Sequence, residues 1–358
     1  MAEQKIFGRE TGIDGSVPQD RRPIALVLGA TGGIGGAVAR ALSARGYHVR
    51  AMHRAAGTVH GKSSGGSKAV AEWVVGDAMN RADVVSAASG ASVIFHGVNP
   101  PGYRNWAKLV LPMIDNTVAA AQASGARILM PGTIYNYGPN AFPLLGETSP
   151  QNPQTVKGRI RVALEQRLEQ AAGEGVAVIL VRAGDFFGPG AGNSWFAQGL
   201  IKPGKPVKSV SLPGRPGRAH SWTYLPDMAE TFVRLLERAQ DLPAFARFHM
   251  RGHVDPDGYG MAQAIRRAVG NDRLPFKRFP WWMVPMLSPV VPVFRELLEM
   301  RYLWREEILL DNSRLLEVLG EEPQTALDEA VAATLRSLGC LAVVEASQPA
   351  MASPVAAG

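Results

Sequence analysis

Apolar and polar positions divide the first half of the chain into short continuous apolar runs. The runs are "PIALVLGA", "YHVRAMHR", "AEWVVGD", "ASVIFHGVN", "ARILMPG" and "VAVILVRAG". Segments with helical spacing stand between them: "TGGIGGAVARALSARG", "NRADVVSAASG", a stretch from about Arg104 to Ser124, and residues 151–170. Apolar strands without alternation are buried on both faces, which predicts a parallel sheet covered by helices. Right-handed crossovers then make an α/β, doubly wound fold. After Gly184 the regularity stops, and a Pro- and Gly-rich part follows with helices predicted near 227–240, 258–269, 293–304 and 325–338. The expected division is a flexible N-terminal tail over 1–22, the doubly wound domain over 23–190, a smaller domain over 191–340 that returns in part to the sheet, and a flexible tail over 341–358. The Gly/Ser-rich loop "AAGTVHGKSSGGSKA" is long for its position between two strands, which predicts mobility.

The helical segment "QNPQTVKGRIRVALEQRLEQ" has an apolar face of Val156, Ile160, Ala163, Leu164 and Leu168. Lys157, Arg159 and Arg161 crowd its N-terminal half. That end of a helix carries positive partial charge and disfavours cations. They therefore need something to face.

Composition narrows the class. With 46% hydrophobic and 19% charged residues among 358, the chain can bury a sizeable core. Its single cysteine, Cys340, excludes an intrachain disulfide and a multi-cysteine metal site, and makes a reducing, cytoplasmic setting the expectation. The N-terminal stretch lacks the apolar core of a secretory signal. The apolar stretch "FPWWMVPMLSPVVPVF", 279–294, is too short to span a bilayer and is broken by prolines, so it is expected as a buried segment or pocket wall, with membrane-surface association as the other reading. The net charge of +7 is scattered, without a Lys/Arg block, which speaks against nucleic acid as a partner. Phe186 to Pro226 holds no Asp or Glu but contains Lys202, Lys205, Lys208, Arg215 and Arg218. This stretch is either a binding surface for an anionic ligand or a basic solvated loop.

The strongest local signal is "LVLGATGGIGGAV". Gly29, Gly32 and Gly35 stand at G-x-x-G-x-x-G spacing between a strand and a helix, with Thr31, Gly33 and Ile34 between them. The first glycine permits the tight turn, the second lets backbone approach a pyrophosphate, and the third packs helix on strand. The helix N-terminus adds amide donors and dipole. This context predicts a Rossmann dinucleotide site. An acidic residue about twenty positions on would bind the ribose hydroxyls of NAD. The second strand ends instead in "VRAMHRA", where Arg54 is placed to clamp a 2′-phosphate, so NADP is favoured over NAD. Arg50 is expected as a solvent-facing strand residue. Asp77, after the third strand, either accepts from the adenine amino group or forms a turn.

In order along the chain, "GATGGIG", "VVGDAMN", "VIFHGVN", "ILMPGTIYNYGP" and "VRAGDFFGPG" resemble the motifs of the extended short-chain dehydrogenase/reductases, the NAD(P)-dependent epimerase/dehydratase group. "HSWTYLPDMAETFVRLLE" and "LDNSRLLEVLGEEPQTALDEAVAATL" are similar to that group's C-terminal signatures. The resemblance implies nicotinamide chemistry, with a Ser/Thr after the fifth strand and a Tyr-x-x-x-Lys pair on the next helix. Homodimers are common in the resembled group.

Thr133 falls on the Ser/Thr position, and Tyr137 on a tyrosine that is largely structural. Tyr135 is an extra hydroxyl that shares a side with Thr133 if the strand continues, and is a second candidate for the substitute acid. The helix itself lacks Tyr-x-x-x-Lys. One register sets Thr155 and Arg159 on those positions. The other sets Lys157 and Arg161 there, brings Gly158 and Glu165 into line as well, and is preferred. Lys157 and Arg161 are then i, i+4 neighbours, the first a substitute acid and the second a fixed cation for ribose or phosphate. The competing reading makes Arg161–Glu165 an ordinary helical ion pair and leaves Lys157 solvated.

On the substrate side the candidates are Asp185, Asn193, Trp195 and Arg218, which suit a polar, anionic small molecule. His220 is a surface histidine or a proton shuttle, and Asp227 is expected to cap the helix after it. The chain thus reads as an NAD(P)-dependent oxidoreductase or epimerase/dehydratase-like enzyme with a non-standard proton donor, or as a non-catalytic NADP(H)-binding sensor or regulator.

Overall fold

The computed structural model describes residues 22–56, 69–100, 105–290 and 292–341. The two expected tails, apart from Arg22 and Leu341, and most of the Gly/Ser-rich loop lie outside the described residues. The chain runs through β1 (Ile24–Leu28), α1 (Gly33–Ala44), β2 (His48–His53), β3 (Glu72–Val75), α2 (Arg81–Ala87), β4 (Ala91–His96), α3 (Trp106–Ser124), β5 (Arg127–Gly132), β6 (Leu144–Leu145), α4 (Val156–Gly173) and β7 (Val178–Arg182). It continues through β8 (Asp185–Phe187), β9 (Val210–Leu212), β10 (His220–Tyr224), α5 (Leu225–Glu237), β11 (Phe245–His249), β12 (His253–Asp255), α6 (Gly260–Val269), β13 (Phe276–Arg278), α7 (Met283–Leu287), α8 (Pro292–Met300), β14 (Leu309–Leu310), α9 (Ser313–Leu319) and α10 (Leu327–Ser337).

Seven strands form one parallel sheet in the order β11-β7-β5-β4-β1-β2-β3. The continuous apolar runs are the reason. Along β1, Ala25 and Val27 enter the core layer under α1, α5 and α9, while Leu26 and Leu28 enter the layer under α2, α3 and α4. Alternate side chains of one strand thus serve two helical layers. Six strands follow the alternation seen in the sequence. The seventh, β11, comes from the irregular second half and pairs with β7 in register Phe245↔Val178 to His249↔Arg182.

A third core gathers Phe187, Phe196, Trp222, Met261, Trp304 and Val331 from the C-terminal part. A fourth, smaller one joins Ile134, Tyr137 and Leu145 to Met300, Leu303, Ile308 and Leu310. It fastens the C-terminal segment 300–310 beside the end of β5.

The apolar stretch 279–294 is only partly buried. Val284 is fully buried, whereas Trp282 is 72% and Met286 69% exposed. A three- to four-residue helical repeat turns one side inward and leaves the other outward, so the expectation of a buried segment holds for one face alone. No helix among the described residues is long and apolar enough to cross a membrane. Among them, no group of three or more His, Cys, Asp or Glu could hold a metal ion.

Candidate active site

The C-terminal ends of the parallel strands carry the candidate residues. Gly29 has φ +88°, the left-handed region that glycine alone adopts freely, and a Cβ there would lie 2.7 Å from the Gly97 carbonyl oxygen. A Cβ on Gly35 would lie 2.1 Å from the Gly29 oxygen, so helix and turn touch backbone to backbone. Thr31 and Gly32 are exposed, and Gly33 and Ile34 are half-buried. α1 opens without a side-chain cap and with no acidic residue in its first turn. Its leading amides and its dipole are left for an anion. The cradle fits the pyrophosphate of a dinucleotide.

Arg54 is exposed, just past the end of β2, whose Met52 pairs with Leu28 at the end of β1. Arg50 does not face solvent. Its Nε donates to Glu72 at 2.6 Å and its Nη1 to the Ala87 and Ser89 carbonyls, because the register sets Glu72 beside it. The Asp77 carboxylate takes the Met79 amide at 3.0 Å, so a turn-forming role is present whatever else it binds.

After β5 the chain does not stay extended. Ile134–Asn136 is a single 3-10 turn, so the alternation that would put Thr133 and Tyr135 on one side fails. Tyr135 packs instead among the apolar side chains of two cores. Thr133 is half-buried, and its hydroxyl donates to Asn136 Oδ1 at 3.2 Å. Tyr137 is fully buried, with its hydroxyl 3.4 Å from His249 Nε2.

α4 begins at Val156, later than the sequence pattern starts, because the Thr155 hydroxyl caps it by accepting from the Gly158 amide at 2.9 Å. A Cβ on Gly158 would meet the Tyr135 carbonyl oxygen at 2.3 Å. That close approach sets the first turn of α4 against the turn after Thr133. Lys157 and Arg161 are 2% and 8% exposed, while Arg159 is exposed.

Lys157 is thus not solvated. Its Nζ bonds Glu299 of α8, and Glu299 Oε1 also accepts the Lys157 amide at 3.0 Å. Partial burial raises the Glu299 carboxyl, but the bonds from Lys157 outweigh it and hold the group below its ordinary value. Beside Glu299, the Tyr302 hydroxyl is buried, with burial first and Glu299 second pushing its pKa up. Sequence spacing gave no signal for Glu299, which reaches Lys157 across 142 positions.

Arg161 donates to Asn99 Oδ1 at 3.2 Å, beyond β4, with its guanidinium 4.8 Å from the Trp106 ring centre. Glu165 belongs to another set. Its oxygens take Asn136 Nδ2 at 2.9 Å, Gln151 Nε2 at 3.0 Å and Arg182 Nη2 at 2.8 Å. At the end of β4, His96 meets Thr117 Oγ1 at 2.8 Å. Burial, and then the Arg161 charge, lowers the His96 pKa to about 3, so it is neutral at ordinary pH.

On the substrate side Asp185 pairs with His220 Nε2 at 2.9 Å, and the His220 ring stacks on Trp304 with centroids 4.1 Å apart. His220 is therefore neither a surface residue nor alone. It lines a pocket with Arg215, Arg218, Trp222 and Trp304. Trp195 contacts Trp304 edge-on at 5.0 Å just behind. Asn193 is exposed and holds Gln198 Nε2 at 3.1 Å, and it does not line that pocket. Asp227 does not cap α5. Its carboxylate takes the Thr325 hydroxyl at 2.6 Å and amide at 2.9 Å, because the chain before α10 passes over it.

A family model for the NAD dependent epimerase/dehydratase family matches residues 25–248. The chain belongs to that family. Among curated proteins, it is similar to a 3-diazoavenalumate denitrifying reductase of a Streptomyces species, with 32% identity over 184 residues, 47% of this chain and 57% of the relative. It is also similar to the uncharacterized protein y4nL of Sinorhizobium fredii, with 28% identity over 187 residues, 47% of this chain and 51% of the relative. The chain thus spans about half the length of the curated relatives it matches. Among solved structures, a nucleoside-diphosphate-sugar epimerase from Pseudomonas aeruginosa has TM-score 0.65 at 18% identity, covering 88% of this chain and 97% of that one. A UDP-glucose 4-epimerase from Brucella ovis in complex with NAD has TM-score 0.66 at 16% identity, covering 88% and 98%. These two share the family's fold with this chain.

Proposed function

We propose that the chain is an NADP(H)-dependent oxidoreductase of the epimerase/dehydratase family. One observation carries the reading: α4, which holds the buried Lys157 and Arg161, packs on the turn that follows Thr133, at the same C-terminal end of the parallel strands as the glycine cradle. β1, β4 and β5 are neighbours, so Thr133 stands about 10 Å across the sheet from the cradle, two strand spacings away. A bound nicotinamide would supply or accept the hydride.

The protein's own groups do the rest. Gly29, Thr31, Gly32, Gly33, Ile34 and Gly35 hold the pyrophosphate through backbone. Arg54 and Asp77 take the adenosine end, and Arg54 supports NADP over NAD. Arg161 is a fixed cation for the nicotinamide ribose. Thr133 binds the substrate group at the reacting carbon. Lys157, paired with Glu299, carries the proton that a nascent alkoxide would take from Nζ. Residues 23–190 act mainly on the cofactor, and 191–340 mainly on a small polar substrate through Asp185, Arg218 and the aromatic wall that includes Trp195. The reductase named for 3-diazoavenalumate supports a reductive role.

The test is a titration with NADPH and NADH followed by a screen of carbonyl compounds, diazo compounds and nucleotide sugars read by NADPH absorbance. Tighter NADPH binding and turnover lost in Lys157→Ala are expected. Tighter NADH binding, or full turnover by both Lys157→Ala and Thr133→Val, overturns the assignment. A second reading, a non-catalytic NADP(H)-binding regulator, is favoured by Glu299 engaging both the amide and the ammonium of Lys157. Firm NADPH binding with a silent screen selects it.

A further inference from the structure

Thr133 can either give or receive a hydrogen bond in the cleft, and the buried groups behind it fix which. Asn136 is fully buried and Glu165 is 3% exposed. Glu165 bonds Arg182, itself fully buried, and has Arg247 Nε at 3.7 Å. A carboxylate paired to guanidinium groups accepts and does not donate. The Asn136 atom 2.9 Å from Glu165 Oε1 must then be the amide nitrogen. Gln151 agrees, since its Nε2 gives to Glu165 and its Oε1 takes Asn136 Nδ2 at 3.0 Å. That leaves Asn136 Oδ1, an acceptor only, facing the Thr133 hydroxyl at 3.2 Å. The single proton of Thr133 is committed to it. The Thr133 carbonyl is held as well, by Arg182 Nη1.

We infer that Thr133 meets the substrate with lone pairs, so that the group it recognises is a hydrogen-bond donor, a hydroxyl or an N–H. Asn136 and Glu165 are positioning residues for that choice. The inference rests on the proposal above that Thr133 touches substrate. A substrate in its alcohol or amine form gains a bond at Thr133, and the carbonyl form gains none there. No proton passes through Thr133 in either direction. Glu165 reads as a partner of Arg161 in the sequence, four positions away on the helix, and its part in setting Thr133 becomes visible only once Asn136 and Arg182 stand around it.

Two measurements decide the matter. Neutron diffraction from deuterium-exchanged crystals of the full chain should place the Thr133 deuteron toward Asn136 Oδ1 and an Asn136 amide deuteron toward Glu165. A Thr133 deuteron aimed into the cleft, or an Asn136 oxygen facing Glu165, overturns the inference, whether or not the protein proves to be an enzyme. The second measurement uses the first alcohol–carbonyl pair that the NADPH screen yields. Glu165→Gln lets Asn136 turn its amide over and releases the Thr133 proton to the cleft. KM for the alcohol should rise about tenfold, the worth of one hydrogen bond, and KM for the carbonyl should fall. Asn136→Leu frees the same proton and serves if Glu165→Gln does not fold. Equal losses of kcat with both KM values unmoved would mean a structural role only, and the inference fails while the proposed activity stands.

Discussion

Lys157 shows how one side chain can satisfy two demands at once. The positive end of α4 repels cations, yet Lys157 is buried in its first turn because Glu299 reaches over from α8 and neutralises both the ammonium and the helix end. Removing Glu299 alone takes an ion-pair partner away from a buried charge. Glu299→Ala should therefore cost about 2–3 kcal/mol in urea unfolding, at the low end of buried pairs because Glu299 keeps some contact with water. The double variant Lys157→Met/Glu299→Met should recover part of it, and additive losses would contradict the pairing. Gly158 offers a sharper case. An alanine methyl there meets the Tyr135 carbonyl and Pro153, so Gly158→Ala should lower stability by roughly 1–3 kcal/mol despite alanine's better helix propensity. The i, i+4 spacing made the shared burial of Lys157 and Arg161 legible in advance. Their partners were not legible, since Glu299 and Asn99 come from distant parts of the chain.

At the scale of elements, the glycine turn and α1 form a unit whose geometry is written locally. The close approaches at Gly29 and Gly35 lie within a few residues or at the end of the neighbouring strand, which is why the glycine spacing predicted them. Gly35→Ala should push α1 off the Gly29 carbonyl and weaken NADPH binding about tenfold or more, by calorimetry, while Gly46→Ala, where a Cβ meets nothing, should leave it unchanged. The φ of +83° at Gly46 adds a small loss of stability to that control. The turn after β5 was less legible. Its residues suit a strand as well as a 3-10 turn, and what bends the chain is the buried Asn136, drawn inward by Glu165 and Gln151. Likewise β11 has no regular alternation around it, and only the free edge of β7 calls it into the sheet.

Across the whole molecule, two buried histidines link folding to pH. Burial, followed by a nearby arginine in each case, lowers His96 and His249 to about 3. Unfolded histidine takes a proton near pH 6.5. Above that value neither state is protonated and the two groups have no effect. As pH falls from about 6.5 toward 3 the unfolded chain binds protons that the folded one refuses, so stability falls by up to about 1.4 kcal/mol per pH unit for each histidine. Urea midpoints at pH 7.5, 6 and 5 should decline in that order, and less steeply in His96→Asn. A flat profile would contradict the burial of both rings. The order of strands in the sheet has a last consequence, for synthesis. β7 and β11 lie side by side, but residues 183–244 separate them in the chain. On a ribosome adding ~5–20 residues per second, β7 therefore waits roughly 3–12 s with a bare hydrogen-bonding edge. Whatever shields that edge from neighbouring nascent chains during the interval decides how much of the protein reaches its sheet.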